Sequence, residues 1–163
     1  KANITTEVDE DELLHIEEHK QREREIYRQY SEDFADIPAI TMNPMNADGG
    51  ANNWLSCITI DPACGITPER VMDVLADENI ETRPIWKPMH MQPIYRMHAF
   101  VTREGDGRGR TNAYIAGGAA GADGRPLDVG MDIFQRGLCL PSDIKMTEGQ
   151  QDIIINIIKG CFE

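Results

Sequence analysis

Trp54-Leu55-Ser56-Cys57-Ile58-Thr59-Ile60, closed by Asp61-Pro62, is the run from which the fold is read. Aromatic and β-branched residues dominate it and the Asp-Pro pair ends it, so a strand is predicted. Immediately downstream, Thr67 offers an N-cap, Pro68 suits the first helical position, and Val71, Met72, Val74 and Leu75 supply an apolar stripe that Asn79 can close. That spacing predicts a short helix. Ile80 to Ile85 follows as a second strand, which Pro84 ends or confines to a sheet edge.

Farther along, Met131 to Arg136 reads as one helical turn and Gly137-Leu138-Cys139-Leu140 as a short strand stopped by Pro141. Thr147 and Gln150 form a capping box opening a helix that carries Ile153, Ile154, Ile157 and Ile158 and stops at Gly160. Upstream, about residues 9–34 are helical in composition, with Leu13, Leu14 and Ile16 at one end and Ile26, Tyr27, Tyr30 and Phe34 at the other. Glu17 to Glu25 between them holds no apolar residue, so it buries nothing in a compact core, although Glu18 and Arg22 stand one turn apart. Such a helix suits a bridge between two bodies and equally an ordinary surface position. About residues 101–130 form a glycine-rich insertion, read as a long loop or hairpin-like excursion; eight of the 14 glycines fall between Gly105 and Gly130.

Few strands separated by amphipathic helices give an α/β fold in the two-layer α+β sense, a small sheet with helices on one face. At 163 residues and 40% hydrophobic content the chain is expected to be one domain, 1–163. A net charge of -12 argues against nucleic-acid binding, and any anionic ligand must be held by a few aimed groups. Cys57, Cys64, Cys139 and Cys161 contain no C-x-x-C pair, and no apolar run approaches the roughly 18 residues of a membrane span. A reduced, cytoplasmic protein is the expectation. The start at Lys1-Ala2-Asn3 suggests a piece of a longer chain, as a processed start would too.

The run Arg83-Pro84-Ile85-Trp86-Lys87-Pro88-Met89-His90-Met91-Gln92-Pro93-Ile94-Tyr95 carries the most chemistry. Three prolines stiffen the backbone. Arg83 and Lys87 suit phosphate or carboxylate oxygens, Trp86 or Tyr95 suits a flat ring, and His90 and Gln92 suit hydrogen bonds. A surface turn in which Trp86 and Met89 cover the core is the alternative. His15 and His19, one turn apart, have no third ligand at a telling distance, so no metal site is assigned. Gly105-x-Gly107-x-Gly109 lacks the strand and helix of a dinucleotide fingerprint.

Arg83 to Pro93 resembles the R-P-x-W-K-P-M-H-x-Q-P segment of the DegT/DnrJ/EryC1/StrS family of pyridoxal-phosphate (PLP) sugar aminotransferases. Phe134 to Ser142 resembles that family's F-x-x-G-L-C-L-P-S segment, Asn53-Trp54-Leu55 the start of its central strand, and Arg24 to Tyr30 the helix entering this region. The resemblance implies the C-terminal small domain of a fold type I aminotransferase, with a mainly antiparallel sheet. The large N-terminal PLP-binding domain, with its Schiff-base lysine, would be missing.

The implied reaction moves an amino group, commonly from glutamate, to a keto group on a nucleotide-linked sugar, with a UDP-sugar as a family-level guess. A homodimer is implied for the complete enzyme. Among Lys1, Lys20, Lys87, Lys145 and Lys159 none has the serine- and glycine-rich context of the Schiff-base lysine. No catalytic or cofactor-binding residue is therefore assigned, and the chain alone is expected to be inactive. By position, His90 corresponds to the loop histidine that contacts the nucleotide or diphosphate. Met91, Gln92, Tyr95 and Lys87 stand beside it, and Arg83 braces the loop through a buried carboxylate or carbonyls, or touches substrate. A stand-alone nucleotide-sugar-binding module without catalysis is the rival reading.

Overall fold

The structure, a computed structural model, describes residues 14–46, 48–95, 98–100, 109, 110, 126 and 128–163. Its central sheet has four strands, β1 (Ile40–Met42), β2 (Ser56–Ile60), β3 (Arg83–Pro84) and β6 (Gly137–Leu140), in the order β1-β2-β6-β3, every pair antiparallel. A separate two-stranded pairing joins β4 (Ala99–Phe100) to β5 (Gly109–Arg110). Most of the glycine-rich stretch, like residues 1–13, lies outside the described residues.

Alternation along β2 and β6 decides which side of the sheet is core. Ile58, Ile60, Leu138 and Leu140 point into one cluster with Ile26, Tyr30 and Phe34 of and just beyond helix α1 (Ile16–Asp33). Helix α2 (Pro68–Asp77) adds Val71 and Leu75, and α4 (Glu148–Gly160) adds Ile154, Ile155 and Ile158. Three helices thus pack on one face, as the patterning predicts. Each fully buried side chain of this size contributes about 1.5–3 kcal/mol, which for α1 comes from one end only. Residues 17–25 of that helix are exposed or half-buried, tied by Lys20 to Glu17 (2.7 Å) and by Arg22 to the Met146 carbonyl (2.7 Å).

The caps fall where the sequence puts them. Thr67 Oγ1 accepts from Arg70 N, and α2 ends with Asn79 at φ 59, Ile80 N donating to Leu75 O and Asn79 N to Ala76 O. The Thr147–Gln150 capping box is reciprocal.

Three expectations shift. Strand β2 starts at Ser56, because Asn53 takes a left-handed φ of 61 before it and Ser56 N is met by the Ser142 hydroxyl. The predicted strand over 80–85 shrinks to Arg83–Pro84, since Pro84 has no N–H and pairs only at the sheet edge. In α4, Ile153 is exposed and Ile155 is buried, because the inward face runs Gln151, Ile154, Ile155, Ile158. Gln151 fits inside by donating from Nε2 to Ile26 O at 2.8 Å.

On the sheet's second face, Met91, Met131 and Cys139 are buried apart from the main cluster. Helix α3 (Val129–Arg136), two residues longer at its start than the predicted turn, leads straight into β6. The junction needs Gly137: a Cβ there would meet Ile133 O at 2.6 Å and Ile85 Cγ1 at 2.7 Å. No helix among the described residues is long and apolar enough to cross a membrane.

Candidate functional site

The segment from Ile85 to Tyr95 leaves edge strand β3 and turns twice, as single 3-10 turns over Met89–Met91 and Pro93–Tyr95. Three of its backbone donors are consumed locally. Met91 N donates to Pro88 O, Gln92 N to Met89 O and Tyr95 N to Gln92 O, each at 3.0 Å, while Gln92 Nε2 reaches Lys87 O at 3.3 Å. Met91 turns its side chain inward, so it anchors the loop. The loop is therefore a fixed scaffold for what it exposes.

His90 is the best-fixed polar side chain on it. Its Nε2 donates to Asp128 Oδ2 at 2.5 Å, with the two side chains 18% and 3% exposed. Asp128 is itself locked, because its other oxygen, Oδ1, accepts from Met131 N at 2.9 Å and caps α3. A carboxylate can only accept, so the proton of this pair sits on Nε2 and the ring orientation is set. Gly130 lets the loop approach: a Cβ there would meet Pro88 Cγ at 3.3 Å and Asp128 Oδ1 at 3.5 Å.

Asp128 is absent from the sequence-based candidates. The signal for it is an Asp three residues before Met131, an N-cap placed two residues outside the start predicted for that helix.

A second feature joins residues far apart in sequence. Trp54, 59% exposed, and Trp86, 65% exposed, bring their rings to 6.0 Å between centroids. Met89 and Ile94 are exposed too, and Lys87 stands exposed beside Trp86. Trp86, Lys87, Met89 and Ile94 thus stand exposed on one loop, with Trp54 against Trp86. Tyr95 is partly exposed and meets the His98 ring at 5.9 Å.

Arg83 behaves otherwise than expected of a brace through a buried carboxylate. It pairs with Glu81, and both side chains are about three-quarters exposed (77% and 73%). A cleft of about 620 Å³ lined by Ile80, Lys145, Met146 and Ile153 includes none of Arg83 to Tyr95. At the start of α1, His15 Nδ1 is engaged by Glu18 at 2.9 Å.

Comparison with known proteins gives a consistent result. The model of the DegT/DnrJ/EryC1/StrS aminotransferase family matches residues 2–105. A putative pyridoxal phosphate-dependent aminotransferase of Bacillus subtilis (strain 168), EpsN, is 31% identical over 161 residues, which is 99% of this chain and 36% of EpsN. Among solved structures, DesI in the presence of its TDP-sugar product superposes with a TM-score of 0.68 at 24% identity, over 91% of this chain and 32% of DesI. Helicobacter pylori PseC, an aminotransferase involved in the biosynthesis of pseudoaminic acid, gives 0.61 at 17% identity, over 88% and 32%. The two structural likenesses are likenesses of fold. The chain spans about a third of the length of these relatives.

Proposed function

Because the chain belongs to the DegT/DnrJ/EryC1/StrS aminotransferase family, we propose that it is the C-terminal part of a PLP-dependent sugar aminotransferase. In this reading the complete enzyme is a cytoplasmic homodimer. It moves an amino group, from glutamate, to the keto group of a nucleotide-linked sugar, in a route to polysaccharide or glycan precursors. PLP supplies the electron sink for that chemistry when bound.

The described residues do not fit PLP as a group resident on this chain. Lys20 is paired with Glu17 and Lys159 with Asp33, while Lys87 and Lys145 stand exposed, so no described lysine offers an enclosed amine for a Schiff base. The cofactor is therefore assigned to the two-thirds of the relatives' length that this chain does not span, and the chain's own share is substrate binding.

The observation that carries this share is His90 locked by Asp128 on a proline-stiffened loop, beside exposed Lys87 and the Trp54–Trp86 pair. An ammonium can meet diphosphate oxygens in an otherwise acidic protein, and exposed indoles give a flat ring something to stack on. His90, Gln92 and Tyr95 provide polar edges along the same loop, with Met91 holding it from beneath and Arg83 at its root.

Calorimetric titration of a UDP-sugar tests the reading, using this chain, its His90→Ala variant, and the protein extended by its upstream sequence. We expect a PLP absorbance band and binding in the extended protein only, with His90→Ala weakening that binding about tenfold, as for a lost hydrogen bond of roughly 1.5 kcal/mol. An extended protein without the band would overturn the aminotransferase assignment. Tight binding by the short chain, lost in His90→Ala, would identify a stand-alone binding module instead.

A further inference from the structure

Cys57 of β2 and Cys139 of β6 stand directly opposite each other in the antiparallel register. Both backbone groups of Cys57 are turned away from β6: its N–H donates to Asn43 Oδ1 at 2.9 Å, and its carbonyl accepts from Asn43 N at 2.8 Å. The two cysteines are thus a non-hydrogen-bonded cross-strand pair, the kind in which facing side chains come closest. Their sulfurs lie 3.5 Å apart, Cys57 Sγ–H donating to Cys139 Sγ. Cys64 and Cys161 differ, because their thiols bond only to backbone groups, those of Ile66 and of Ile157.

We propose that Cys57 and Cys139 are a reversible dithiol–disulfide pair, a modification site on the second face of the sheet that responds to a small peroxide oxidant. Closing the bond requires the sulfurs to approach by about 1.5 Å, to the roughly 2.0 Å of a disulfide, a distance that side-chain rotation and a slight pinch of the strands can cover. Cys139 is the first reactant. The hydrogen bond from Cys57 favours its thiolate, drawing its ionisation below the ordinary thiol value, and the same bond together with burial pushes Cys57 up. Cys139 is buried and Cys57 half-buried, which restricts the oxidant to something the size of hydrogen peroxide.

The Cys139 thiolate attacks one peroxide oxygen, the O–O bond breaks, and a sulfenic acid forms while hydroxide leaves and takes up a proton as water. Cys57 sulfur then attacks the sulfenic sulfur. The S–S bond forms, the S–O bond breaks, and the departing hydroxide leaves as a second water with the Cys57 proton. Two thiols are oxidised by two electrons and one peroxide is reduced to two waters. Because Arg83 of β3 faces Cys139 from the other side, the cross-link would fasten β2 to β6, the strand against which β3 pairs at the root of the Ile85–Tyr95 loop.

The test is peroxide treatment of the chain, trapping of free thiols by alkylation, and non-reducing digestion with mass spectrometry. We expect a Cys57–Cys139 cross-linked peptide lighter by two hydrogens, complete reversal with dithiothreitol, and continued alkylation of Cys64 and Cys161. The Cys64→Ser/Cys161→Ser variant should give the same cross-link. Cys57→Ser should give none, with Cys139 carried on to sulfinic acid. Cys57 and Cys139 alkylating as fully as Cys64 after treatment would overturn the proposal, as would irreversible sulfinic acid at Cys139 in the unsubstituted chain, or a disulfide to Cys64 or Cys161.

Discussion

Asp128 divides one carboxylate between two tasks: Oδ2 holds His90 Nε2 and Oδ1 caps α3 through Met131 N. The loop and the helix that leads into the central strand are thus joined by a single buried side chain. Asp128→Ala removes the cap, worth about 1 kcal/mol, and the charge-assisted hydrogen bond to a half-buried imidazole, so a total loss of roughly 2–3 kcal/mol is expected in urea unfolding. Asp128→Asn keeps an N-cap and a neutral acceptor and should lose about 1 kcal/mol. Equal losses in the two variants would mean that the charge, and neither hydrogen bond, is what matters.

The sequence discloses the elements whose signals are local. The Thr67 and Thr147 caps, the Asn79 stop and the Pro84 edge each depend on residues within one turn of chain, and the structure has all four. The paired residues it does not disclose are separated by long stretches: His90 with Asp128, Trp54 with Trp86, Cys57 with Cys139. The last depends on strand register and the other two on how segments beside the strands fold back, neither of which periodicity encodes. Ile153 is misread for a related reason: five near-consecutive isoleucines surround the helix axis, and only the partner faces decide which of them turn inward. Motif resemblance supplied the loop as a binding segment without its buried acid, because Asp128 lies 38 residues beyond His90 and across the glycine-rich stretch.

Gly137 is a packing requirement of the α3–β6 junction. Its φ is an ordinary extended value of -115, so backbone strain is not at issue; the obstacle is the Ile133 carbonyl 2.6 Å from any added Cβ, with Ile85 Cγ1 at 2.7 Å. Backbone cannot rotate aside as a side chain does. Gly137→Ala should destabilise by about 1–3 kcal/mol in chemical denaturation. Gly149→Ala, where a Cβ meets nothing within 4 Å, is the matched control and should be neutral or slightly stabilising.

Trp54 and Trp86 are the chain's two tryptophans, so intrinsic fluorescence reports on the exposed pair alone. Emission should be red-shifted and readily quenched by acrylamide, and near-ultraviolet circular dichroism should carry the signature of two interacting indoles. Trp54→Phe or Trp86→Phe should each abolish that signature while changing stability by less than about 0.5 kcal/mol, as for exposed side chains. A loss of several kcal/mol in either variant would show that the pair is part of the core and not a surface.

Tyr30 gives the fold a defined alkaline weakness. Its ring is fully buried against Phe34, its hydroxyl donates to Pro141 O at 3.0 Å, and burial pushes its phenol well above the ordinary value of 10.0. Between the ordinary and the raised value the unfolded chain has released this proton while the folded chain still holds it. The stability that the neutral phenol contributes is therefore complete below pH 10.0 and is lost progressively as the pH rises through the window above it. Tyr30→Phe forfeits the bond to Pro141, about 1 kcal/mol near neutrality, but has no phenol to ionise. Its unfolding free energy should fall less steeply above pH 10.0 than that of the unsubstituted chain, so that the two approach or cross. Tyr27, also raised by burial, is present in both chains and cancels in the difference. Parallel pH profiles in urea unfolding would show that the buried phenol escapes to water before it ionises.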